Sequence, residues 1–151
     1  MHACPYLSPV LTDLKRVVRR LLPFVRKVAP DSLVVTGVSG LLVGPAIVTA
    51  RRSKRSLNLV IVRKSWDGSH SRYKEEYVRP LGRWLFVDDL IESGATVRLV
   101  DQRLAGQGTP AGGLFYQEGG KISLMKWADC LTTDFRKESI CWLLESDSGL
   151  R

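Results

Sequence analysis

The chain has 151 residues, 44% hydrophobic and 25% charged, which is ordinary for a globular protein and long enough to bury the core of one domain over residues 1–151. No apolar run is long enough to span a bilayer, and the N-terminus (Met1-His2-Ala3-Cys4-Pro5-Tyr6) lacks the basic segment, apolar core and cleavage site of a secretory leader, so a cytoplasmic protein with no membrane partner is expected. The formal net charge of +8 attracts phosphate-bearing ligands and nucleic acid alike.

Ser8 followed by Pro9 reads as an N-cap and first helical position, and Val10, Leu14, Val17, Val18, Leu21, Leu22 and Val25 then recur at helical spacing. A first helix to about Lys27, bent at Pro23, follows. It carries Lys15, Arg16, Arg19, Arg20, Arg26 and Lys27; Arg51, Arg52, Lys54 and Arg55 form a second basic cluster in a later loop. Residues 32–36, short and β-branched after Pro30, predict a buried strand, and Gly37-Val38-Ser39-Gly40 a loop. Residues 41–50 are apolar nearly all round and predict a buried helix with Pro45 in its first turn. A second buried strand is expected over 57–62, and the polar stretch 63–80 is longer than a routine connection, as lids are. Residues 84–88 read as a third strand, 93–104 as a helix stopped by Gly106 and Gly108, and 111–117 as a fourth strand before a turn at Gly119-Gly120. Residues 140–144 suggest a short fifth strand; nothing else after Lys121 has a clear pattern. Strands alternating with helices predict an α/β fold, a mostly parallel sheet flanked by helices, with ligands gathered at the carboxyl ends of the strands. Three scattered cysteines (Cys4, Cys130, Cys141) without a C-x-x-C pair argue against a disulfide framework and against zinc.

The most informative stretch is 84–96. An apolar strand (Leu85, Phe86, Val87) runs into Asp88 and Asp89, then into the small-residue loop Ser93, Gly94, Ala95, Thr96 that opens a helix. A helix N-terminus offers free N–H groups and a positive dipole end, which together bind phosphate. Two carboxylates would repel that phosphate unless they faced vicinal hydroxyls or a divalent cation; a ribose 5-phosphate meets both conditions. The stretch resembles the signature of the type I phosphoribosyltransferase family: an apolar strand, two acids, two apolar residues (Leu90, Ile91) and a Ser/Thr-Gly-x-Thr loop.

That resemblance implies a phosphoribosyltransferase-like fold with a minimal hood, and 5-phosphoribosyl 1-pyrophosphate or a nucleotide as ligand. It places the 5-phosphate on Ser93, Gly94, Ala95 and Thr96, the ribose hydroxyls on Asp88 and Asp89, and the pyrophosphate on the amides of Val38, Ser39 and Gly40, where the family often has a non-proline cis peptide. Many relatives carry Lys or Arg where Ser39 stands, a departure in this chain. Magnesium is implied as cofactor, near Asp88 and Asp89 but held largely through substrate oxygens and water. Glu92 stands where the branch using 6-oxopurines keeps an acid that exchanges a proton with the purine ring, which with Asp88 and Asp89 completes a catalytic set; it reads equally as an acid favoured by a helix dipole. Lys64, Ser71 and Tyr73 correspond to a flexible loop that closes over substrate, with Arg72 separating the last two, and Trp127 or Phe115 could stack on a base.

Two functions follow. One is magnesium-dependent transfer of phosphoribose to a nucleobase, a purine by the position of Glu92. The other is a nucleotide-sensing, RNA-binding regulator with weak or no catalysis on the same fold: Thr96-Val97-Arg98 and Asp101 resemble the pyrimidine-operon attenuation regulators, and the basic first helix would supply the RNA surface. A homodimer is compatible with both.

Overall fold

The computed structural model describes residues 9–51, 55–64, 75–76, 80–89, 93–117 and 121–133. Its centre is β1 (Ser32–Thr36), buried at every position, as its β-branched run requires of a strand covered on both faces. β2 (Asn58–Val62) pairs with β1 in parallel on one side, and β4 (Arg83–Asp88) in parallel on the other. β5 (Thr109–Tyr116) extends the sheet in parallel beyond β4. Two antiparallel edge strands complete it: β3 (Glu75–Glu76) beside β2 and β6 (Ile122–Met125) beside β5, giving the order β3-β2-β1-β4-β5-β6.

Alternation along the strands divides the core. Leu33, Val35, Leu85, Val87 and Leu114 face α1 (Pro9–Val28) and α2 (Gly37–Ala50), meeting Leu21, Val25, Val43 and Ile47. Val34, Val60, Phe86 and Phe115 face α3 (Ala95–Arg103) and α4 (Trp127–Thr132), meeting Val97, Val100 and Trp127. α2 lies close on the sheet because Gly40 has no side chain: a Cβ there would come within 2.9 Å of the Val35 Cβ.

The mostly parallel α/β sheet expected from the sequence is therefore present, with four corrections. Residues 37–40 are not a loop but the first turn of α2. α1 breaks at Asp13 (φ −152°, ψ 72°), a departure the sequence did not signal, and Pro23 lies within the helix. β2 is buried only at alternate positions, since it lies beside the edge. The region after Lys121 supplies β6 and α4, packed on β5, where no pattern was legible. The expected Gly119-Gly120 turn and the strand over 140–144 lie outside the described residues. Among the described residues no helix is long and apolar enough to cross a membrane.

Candidate functional site

The chain leaves β1 for α2 and β2 on one side, and leaves β4 for α3 and β5 on the other. The strand order thus reverses between β1 and β4, and in open α/β sheets the crevice at the carboxyl ends of two such strands is where ligands bind. Two helix N-termini open there.

After β4, Gly94 adopts the left-handed conformation (φ 68°, ψ 3°) that only glycine takes without strain, and so starts α3 two residues later than the sequence suggested. Gly94, the N-cap of α3, has no side chain with which to cap it. The Arg98 N–H bonds to the Gly94 carbonyl at 3.0 Å and the Ala95 N–H reaches the Ser93 hydroxyl at 3.4 Å, and among the described residues no acceptor meets the first-turn amides of Thr96 and Val97. Arg98 also donates through Nη2 to the Ser93 carbonyl at 2.9 Å, bracing the loop. Val97 is buried and anchors the turn, while Thr96 is half-buried with its hydroxyl at the same end.

After β1, Thr36 occupies the N-cap of α2 without a side-chain cap bond. Gly37 (φ 61°) makes the turn, and the first-turn amides include those of Val38 and Ser39. The Val38 side chain is 70% exposed, so its backbone is what it can offer a ligand. The pyrophosphate loop expected at Val38, Ser39 and Gly40 is thus an uncapped helix end, and every described peptide bond is trans. The free amides and positive dipole end of such a helix start attract anions in general.

Between these two ends stand the acids. Asp88 is buried, and its N-terminal neighbours hold it at the end of β4. Burial first, and then the adjacent charge of Asp89, push its carboxyl up to about 7; the Asp89 N–H, which donates to Asp88 Oδ1 at 2.9 Å, and the charge of Lys64 act in the opposite direction. Lys64 follows β2, so the one described member of the expected flexible loop does lie at the carboxyl end of the sheet. Asp89 is half-buried and accepts a 2.6 Å hydrogen bond from the Ser39 hydroxyl. That bond joins the first turn of α2 to the acid pair that follows β4. Glu92, Ser71 and Tyr73 lie outside the described residues.

One expectation fails. Trp127 and Phe115 are not available to a base: Phe115 is fully buried, and Trp127 packs edge-on against Trp84 and Phe86 at centroid distances of 4.8 and 6.0 Å. Asp101, singled out with Thr96 to Arg98, accepts the Trp127 indole N–H at 2.8 Å and so ties α4 to α3. Sequence reasoning also missed Thr36, whose hydroxyl is buried and has no partner among the described residues; a threonine ending a strand gave no separate signal.

No group of three or more metal-ligating side chains occurs among the described residues. The Asp88–Asp89 pair fits a hard cation held mainly by ligand oxygens and water, and does not fit an all-protein metal cage.

The fold is shared with solved phosphoribosyltransferases. Orotate phosphoribosyltransferase from Francisella tularensis superposes with a TM-score of 0.55 at 17% identity, over 74% of this chain and 58% of that one. The corresponding values are 0.56, 18%, 70% and 23% for UMP synthase from Leishmania donovani, and 0.52, 16%, 73% and 62% for orotate phosphoribosyltransferase from Aeropyrum pernix. The chain therefore spans less than two thirds of each of these proteins. No protein-family model matches the chain, and neither does any curated protein.

Proposed function

We propose that the protein binds 5-phosphoribosyl 1-pyrophosphate in the crevice between β1 and β4 and transfers its phosphoribosyl group to a ring nitrogen of a nucleobase. The observation that carries this is the pairing of two uncapped helix ends with an acid pair between them, tied by the Ser39–Asp89 hydrogen bond. A ligand with a phosphate at each end and hydroxyls in the middle matches that order of charges. The amides of Thr96 and Val97, with the hydroxyls of Ser93 and Thr96, take the 5-phosphate; Asp88 and Asp89 accept from the ribose hydroxyls; the first turn of α2, with Lys64 nearby, takes the pyrophosphate.

In the reaction the bond from C1 to the pyrophosphate oxygen breaks as the bond from C1 to the base nitrogen forms, with inversion at C1. The sugar passes through a cation-like state, and the carboxylates of Asp88 and Asp89 stabilise the positive charge that develops there. Magnesium bound beside them would neutralise the departing pyrophosphate. Glu92, by its place in the motif, takes the proton that the base nitrogen loses, and the acceptor it suits is a purine.

A second reading is favoured by one feature of the site. The residue after the first strand that could have supplied a cation is Ser39, and its hydroxyl is already bonded to Asp89. The same crevice would then bind a nucleotide without efficient chemistry, as a sensor does. Pyrophosphate release from the donor, assayed against purines, pyrimidines and orotate, separates the two: one productive acceptor establishes the enzyme, and a silent panel with retained donor binding establishes the sensor. Asp88→Asn combined with Asp89→Asn should abolish donor binding by calorimetry with the fold intact. Unchanged affinity in that variant would remove the crevice from both readings.

A further inference from the structure

The net charge of +8 is not accounted for by the crevice. Lys15, Arg16, Arg19, Arg20, Arg26 and Lys27 are all exposed and form two adjacent columns along one face of α1, with no acid from Leu14 to Val28. Lys15 with Arg19, and Arg16 with Arg20, are like-charged pairs four residues apart, an arrangement that weakens a helix unless a counter-charge is supplied. Beyond the last turn the basic surface continues at the amino ends of the strands. Arg51 donates through Nη1 to the Pro30 carbonyl at 3.2 Å, and Arg55, 81% exposed, lies 3.7 Å from Asp31. Asp88 and Asp89 stand at the other end of the sheet, after the last residues of β4.

We propose that this face of α1 binds the phosphate backbone of a nucleic acid, at a site separate from the crevice and independent of the chemistry there. A membrane surface fits poorly. An interfacial helix inserts its apolar face, whereas Val18, Leu21 and Val25 of α1 are committed to the core. The face is dominated by arginine, whose planar fork pairs with phosphate oxygens two at a time. From Lys15 to Lys27 it extends about 18 Å along the helix, matching about five phosphate steps of one duplex strand.

The test is fluorescence anisotropy with labelled single-stranded RNA and duplex DNA, titrated with the full chain between about 50 and 200 mM salt. The unmodified protein should bind at least one of them, with log affinity falling linearly in log salt. Arg16→Gln combined with Arg19→Gln and Arg20→Gln should make that slope shallower by about 2 to 3 and weaken binding at the lowest salt by ten-fold or more, roughly the loss of three phosphate contacts. Far-UV circular dichroism should be unchanged, because all three side chains are exposed. The charge-reversed Glu variant should bind still less; if it does not fold, the Gln variant decides. The proposal is overturned if the unmodified protein binds neither probe at low salt, if the Gln variant binds both unchanged, or if polyglutamate or anionic vesicles compete as well as nucleic acid does.

Discussion

Ser39 and Asp89, 50 residues apart in sequence, are joined by a 2.6 Å hydrogen bond in which the hydroxyl donates to Asp89 Oδ2. One residue belongs to the first turn of α2 and the other follows β4, so the bond fixes the acid between the two helix ends and spans the point where the strand order reverses. A hydrogen bond to a carboxylate contributes about 1.5 to 3 kcal/mol when it is not fully solvated. Ser39→Ala should therefore remove one of the interactions that position Asp89 and weaken binding of the phosphoribosyl donor by roughly ten-fold. Calorimetry with magnesium present measures this; a variant with full affinity would show that Asp89 is held well enough by the backbone.

Thr96 carries a separate part of the same site. Its hydroxyl and N–H both lie in the uncapped first turn of α3. Thr96→Val keeps the N–H and the shape but removes one hydrogen bond to a charged group, so a ribose 5-phosphate ligand should bind about ten-fold more weakly or worse. The variant should lose as much affinity for ribose 5-phosphate as for the full donor, because the loss is at the phosphate both share. If neither ligand is affected, the turn is an ordinary helix start.

Asp88 makes both stability and binding depend on pH, in opposite senses. Its carboxyl is pushed up from 3.8 to about 7, chiefly by burial and then by the charge of Asp89. The folded state thus holds a proton that the unfolded chain has released once pH exceeds about 4, so the ligand-free protein should lose stability, on the order of a few kcal/mol, as pH rises from about 4 to about 7. Donor hydroxyls and a divalent cation favour the ionised carboxylate, so donor binding should tighten as pH rises through about 7 and should release a proton. Denaturant titrations across that range, and calorimetry in buffers of different ionisation enthalpy, read the two effects. Asp88→Asn should flatten both, and a pH-independent stability in the unmodified protein would mean that Asp88 is already ionised in the fold.

How much of this was legible beforehand differs by element. β1 and β4 could be read from composition, because strands buried on both faces must be apolar throughout and the flanking Gly and Asp mark their ends. That Asp88 and Asp89 end a strand and that Ser93 to Thr96 lead into a helix was legible because these residues are close in sequence. The start of α2 was not, since Gly37, Val38, Ser39 and Gly40 have weak helix preference and the close approach of Gly40 to β1 is a tertiary contact that no local pattern encodes. The role of Trp127 was equally hidden: an isolated aromatic near the C-terminus gives no sign that its ring closes the core on Trp84 while its N–H finds Asp101. The meeting of Ser39 with Asp89 depends on β1 and β4 becoming neighbours, which no local pattern encodes.

Thr36 provides a prediction that the sequence could not have suggested. It is 2% exposed, it caps α2 without a side-chain bond, and its hydroxyl has no partner among the described residues. The register that sets Val35 beside Val87 puts Thr36 next to Asp88 in the sheet. A buried hydroxyl left without a partner costs about 1 to 3 kcal/mol, and replacing it by a methyl group of the same shape removes that cost. Thr36→Val should therefore raise the stability of the ligand-free protein by about 1 kcal/mol or more and lift Tm by a few degrees, on the order of 2 to 8 °C. Thr36→Ser retains the hydroxyl and should give no such gain. A lower Tm in the Val variant would mean that the hydroxyl is bonded in solution, for instance to a buried water. If instead Thr36→Val is more stable but binds the donor less tightly, the hydroxyl is held in reserve for the ligand-bound state, where Asp88 or the ribose becomes its partner.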